Sequence, residues 1–149
     1  MKTSYTYTIL RYVHDTVTGE FINVGVALLA PEERYASAIC RTTYGRLAKV
    51  FPGMDGESFR SLMRHIQSRF EELGDRLHNE FPFEEPKSVM ELAHRVLSPD
   101  DSSLQWSPPG SGLTSDASQT LDGLFSRLVS AYDEPPTPER FAREIEAHV

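Results

Sequence analysis

The sequence predicts an α+β fold: an antiparallel sheet of three to four strands, begun by an N-terminal meander, with about four helices packed on it. Two observations carry this. The first forty residues are rich in aromatic and β-branched side chains broken by turn residues, and apolar positions then recur every three or four residues. Strands gathered ahead of helices are the α+β arrangement. With 149 residues, 39% hydrophobic and 25% charged, the chain has the size and balance of one globular domain over residues 1–149.

Tyr5 to Val13 reads as the first strand, with Tyr5, Tyr7, Ile9, Arg11 and Val13 on one face and Thr6, Thr8, Leu10 and Tyr12 on the other. His14 to Gly19 supplies a turn. Phe21 to Leu29 is the second strand, apolar on both faces, as expected where both are covered. Strict alternation groups Ile22, Val24, Val26 and Leu28 against Phe21, Asn23, Gly25, Ala27 and Leu29. Pro31 stops it, and Tyr35 to Arg41 is a third strand.

A short helix is expected over Gly45 to Phe51, closed by Pro52-Gly53. From Glu57 to His78 the positions Phe59, Leu62, Met63, Ile66, Phe70, Leu73 and Leu77 form one helical stripe, with Asp55 as its cap. Ser88 and Glu91 box the start of a helix running to Leu97, and Pro99 ends it. A further helix spans about Ala117 to Tyr132, started by Asp116 and Gln119. Thr137-Pro138 opens a last one carrying Phe141, Ile145 and Val149. Residues 99–115 are loop-like in composition, yet Leu104 to Ser107 fits a fourth strand at a sheet edge, where the following prolines are tolerated.

Charge is unevenly spread over the net −7: ten Lys/Arg face nine Asp/Glu in residues 1–76, and five face thirteen in 77–149. Such acidity counts against nucleic acid as a general partner, because affinity there comes from neutralising phosphates. Arg34, Arg41, Arg46 and Lys49 nevertheless form a local cationic run compatible with an anion site. No apolar run approaches the roughly 20 residues that span a bilayer, so no membrane association is expected. The single Cys40 fits a reducing compartment, and cytoplasm is the expected location.

Candidate site residues gather at the first hairpin: Arg11, Asp15, Glu20 and Asn23. They fit acid–base or phosphate chemistry, with Arg11 able to hold a carboxylate or phosphate bidentately. They also fit a structural reading, in which Arg11 and Glu20 pair across the ladder and the Asn23 amide satisfies main chain. Gly25 allows close approach of a backbone or ligand, or marks a bulge. Trp106 is either an exposed anchor for a partner or a plug at the edge of the core. The five histidines lack short paired spacing, so no metal site is expected. Cys40 alternates with Ala36 and Ala38 as a packed thiol. GSGLTS lacks the lysine of a phosphate loop, serine-hydrolase signatures are absent, and no cofactor is implied.

The stretch YTYTILRYVHDTVTGEFINVGVALLAP resembles the signature of a bacterial family of proteins of unknown function, DUF3037. The resemblance rests on Arg11, Tyr12, Val13, Asp15, Gly19, Glu20, Asn23, Val24, Gly25, Val26 and Pro31. It extends to Arg46-Leu47 before Phe51-Pro52 and to Gly112-Leu113-Thr114. His14 departs from the proline usual in such proteins. The family carries no assigned activity, but its genes often neighbour kinase-like proteins related to the HipA toxins. The resemblance therefore implies a non-enzymatic accessory or protein-binding module with a HipA-like kinase as partner. The alternative is a small enzyme or nucleotide-binding domain built on the hairpin cluster.

Overall fold

A computed structural model describes residues 1–13, 17–80, 85–98 and 103–132. The element order is β1 (Thr3–Val13), β2 (Phe21–Ala30), β3 (Tyr35–Cys40), α1 (Gly45–Val50), α2 (Gly56–Asn79), α3 (Val89–Val96), β4 (Leu104–Trp106), β5 (Gly110–Thr114) and α4 (Ala117–Leu128), with a 3-10 turn over Ser130–Tyr132. The fold is α+β. Its antiparallel sheet has five strands in the order β3-β2-β1-β4, with β5 also on β1. The helix expected from Thr137 lies outside the described residues.

The fifth strand corrects the expected count of three to four. Its sequence, GSGLT, has the composition of a loop, and its partner explains why it is a strand. Gly112 lies opposite Tyr5 and Gly110 opposite Tyr7. A Cβ on either glycine would come within 2.6 Å of a tyrosine ring or hydroxyl atom. The glycines are slots for the rings. Between β4 and β5, Ser107 fills the gap in the ladder: its N–H donates to Ile9 O (2.8 Å) and its hydroxyl accepts from Ile9 N (2.9 Å). Thr8 Oγ1 donates to Ser107 O (2.7 Å).

The second correction concerns β2. The β1–β2 register shifts between Leu10 and Arg11, so Leu10 faces Gly25 but Arg11 faces Asn23. Val24 is the extra residue of a β-bulge, which reverses the phase of the strand. Val26, Leu28 and Ala30 face α4, packing with Ala117, Leu121, Leu124 and Val129. Ile22 and Val24, expected on that same face, instead join Leu10, Cys40, Leu47, Phe59, Met63 and Ile66 on the other side. Ala27 and Leu29 pack with Phe70, Leu77, Val89 and Leu92. Helices thus cover both faces, α2 and α3 on one and α4 on the other.

Side-chain caps fix the helix starts: Asp55 accepts from Ser58 N (3.1 Å), Ser88 from Met90 N (3.2 Å), and Asp116 from Gln119 N (3.1 Å). Thr6 Oγ1 accepts from Val89 N (2.8 Å), tying α3 to β1. Helix α2 approaches β3 so closely that a Cβ on Gly74 would stand 2.0 Å from Ala36 O. Gly74→Ala should therefore destabilise the protein by about 2 kcal/mol, the overpacking cost exceeding the roughly 1 kcal/mol gained in helix propensity. Urea unfolding measures it, and a stabilised variant would refute the close packing.

Candidate functional site

Both ends of α4 are held by residues of the β2–β3 hairpin. At the N-terminus, Glu33 Oε2 accepts from Ala117 N (3.1 Å). At the C-terminus, Asn23 Nδ2 donates to Leu128 O (3.0 Å) and Arg41 Nη2 to Val129 O (3.2 Å). The last carbonyls of a helix have no partner within it, so these two donors satisfy groups that would otherwise need water. Arg41 Nη2 also donates to Asn23 O (3.2 Å), and Arg41 N to Val24 O (2.8 Å). Arg41 is 2% exposed, a buried cation pressed against helix carbonyls. An acid at the start and a cation at the end also complement the helix dipole.

The bulge aims Asn23 at α4. Without the extra residue at Val24, strand alternation would turn its side chain to the opposite face. Asn23 Oδ1 is buried without a hydrogen-bond partner among the described residues, which makes the amide a costly group to place there.

Of the hairpin set, Arg11 and Asn23 are cross-strand neighbours, while Glu20 is exposed beyond the end of the ladder. The Arg11–Glu20 pairing expected from a symmetric turn is not formed by this register. Arg11 instead stacks its guanidinium over the Phe21 ring, 4.3 Å from the centroid. Asp15 and His14 lie outside the described residues.

The cationic run divides three ways. Arg34 sits in the β2–β3 turn at φ 52° and donates to Glu80 O, far along the sheet. Arg41 is the buried capping group. Arg46 and Lys49, on α1, line a hollow of about 490 Å³ with Arg41, Thr42, Thr43, Gly45 and Phe125. Arg46 also lines a neighbouring hollow of about 250 Å³ with Phe21, Ile22, Asn23 and Leu128. The two hollows share Arg46 and flank the C-terminal end of α4, which lends Phe125 to one and Leu128 to the other; this shared surface, the groove, gathers Asn23, Arg41, Arg46 and Lys49 from the candidate residues.

Trp106 stands in β4, not in a loop. It is half-buried between the two clusters under α2 and meets Phe70 edge-on, ring centroids 5.8 Å apart. Cys40 is buried, and desolvation pushes its thiol up to about 12. No group of three or more metal-ligating side chains comes together among the described residues. None of their helices is long and apolar enough to cross a membrane.

Ile22 and Asn23 of the second-strand motif line the smaller hollow, and the sequence model of DUF3037, a protein family of unknown function, matches residues 7–129. The chain belongs to the DUF3037 family. No curated protein and no solved structure matches it. The DUF3037 match runs from β1 to Val129, the residue whose carbonyl Arg41 caps. Glu33 escaped the sequence reading, because a turn acid gives no sign that it caps a helix more than eighty residues later.

Asn23→Ala should cost about 1–3 kcal/mol of stability, since it strips the Leu128 carbonyl of its donor. An unchanged unfolding midpoint would show that the clamp contributes nothing. The Cys40 thiol should resist disulfide reagents at pH 8 in the native protein and react readily in denaturant. Its folded pKa lies above the unfolded value, so the contribution is complete below about pH 8.5 and is lost as pH rises toward 12. Labelling at equal rates in both states would contradict its burial.

Proposed function

We propose that this chain is a non-enzymatic binding module that acts on a protein partner, a kinase-like protein related to HipA. The observation that carries the reading is the open groove beside the α4 clamp. Phe21, which lines it, is 46% exposed, and Val50, which follows Lys49 on α1, is 51% exposed. Exposed aromatic and aliphatic side chains beside cations, on a rigid base, are the make-up of a contact surface. Asn23 and Arg41 serve that surface by fixing its base. Trp106 serves the core beneath the opposite helix layer, and in this reading it is a support and not the anchor.

A nucleotide-binding or small-enzyme reading has one specific point in its favour: Arg46 borders the hollow holding Asn23 and the one holding Lys49. Titration calorimetry with ATP and GTP distinguishes it, and micromolar binding would displace the protein-partner reading.

Co-expression with a HipA-like kinase encoded beside a gene of this family should yield a complex that co-elutes in size-exclusion chromatography. Phe21→Ser should weaken it at least about tenfold, roughly 1.4 kcal/mol, while the protein stays folded with a modest loss of stability from the stacking on Arg11. Absence of a complex at micromolar concentrations would defeat the proposal.

A further inference from the structure

We infer that the groove takes an acidic, extended segment of the partner protein, an inference that rests on the binding-module reading above. Arg46 and Lys49 are one helical turn apart on α1, at i and i+3, and both border the larger hollow. Thr42 and Thr43 add hydroxyl groups that donate to carboxylate oxygens, and both are exposed. Among the described residues, no carboxylate lines either hollow. Apolar side chains share the lining, Phe21 and Leu128 in the smaller hollow and Phe125 in the larger, the last two one turn apart on α4. A segment carrying carboxylates beside an apolar side chain matches that mixture of cations, hydroxyls and hydrocarbon.

The charge balance elsewhere selects among anions. The chain carries a net −7, concentrated after residue 76, which repels a long polyanion such as RNA. A short acidic stretch in a partner's loop or tail presents few charges and meets only the local field. Arg41 is buried and holds two carbonyls, while Lys49 is exposed and Arg46 half-buried, so these two present charge to the larger hollow. The groove's openness also suits a chain that passes through it rather than a small molecule enclosed by it.

Fluorescence anisotropy tests this with a short labelled peptide of glutamates interrupted by one phenylalanine. Wild-type protein should bind it with an affinity that falls with salt, and the pair Arg46→Glu with Lys49→Glu should weaken binding at least about tenfold. Arg95→Glu, an exposed change bordering a different hollow, should leave binding unchanged. If Arg46→Glu lowers the unfolding midpoint, Lys49→Glu alone on its exposed side chain decides, with a weakening of several-fold expected. Binding that survives both charge reversals overturns the inference. So does inorganic phosphate or a single-stranded oligonucleotide displacing the peptide at lower concentration. A kinase complex insensitive to the reversals also overturns it while leaving the binding-module reading intact. Peptide binding lost on reversal, with no kinase complex, supports the groove and refutes the kinase.

Discussion

Everything on one side of the sheet depends on how α4 is fastened. Hydrophobic burial alone would hold the helix against Val26, Leu28 and Ala30, but burial is non-directional and leaves sliding and rotation weakly opposed. Hydrogen bonds at both ends remove that freedom. Glu33 takes an N-terminal amide, while Asn23 and Arg41 take C-terminal carbonyls. All three come from one hairpin and its exit, so the helix is indexed to a single rigid piece. The sign of each charge agrees with the helix dipole, which makes the reverse orientation of α4 unfavourable as well.

The β-bulge at Val24 makes this fastening possible. On its far side the strand presents apolar residues to α2, and Asn23 to α4, within two consecutive positions. The same shift sets Arg11 opposite Asn23, diagonal to Phe21 at the end of the ladder, so the cation stacks on one face of that ring. From Arg41 the chain passes into α1 through three residues, so Arg46, the first of the two cations lining the larger hollow from α1, stands five residues from the capping one. Structure and surface are therefore coupled along a very short stretch of chain.

Much of this was legible in the amino-acid order. The long stripe from Phe59 to Leu77 marked α2, and Asp55, Ser88 and Asp116 cap the helices where their sequence positions indicated. Those signals are local. The rest depends on partners far away. Whether Arg11 faces Val24 or Asn23 is decided by a bulge that apolar alternation cannot reveal, because β2 is apolar on both faces. The GSGLT strand reads as a loop because its stabilising side chains belong to β1. Nothing near Trp106 in the sequence announces its edge-on contact with Phe70 on α2. Of the cationic run, sequence adjacency could not separate the buried Arg41 from the groove-lining Arg46 and Lys49, nor remove Arg34 to another part of the sheet.

The tyrosine slots of β5 have an effect on how such a chain can vary. Ser107 pins the chain to Thr8 and Ile9, and Gly110 must then arrive opposite Tyr7. The two prolines between them span a distance that both pins dictate, with φ restricted at each. One residue inserted there would set Ser111 opposite Tyr5, one deleted would set Leu113 there, and either change turns the strand's faces over. Drift in length is thus excluded from a segment whose composition resembles a tolerant surface loop. Spacing, more than residue type, is the heritable quantity in that stretch.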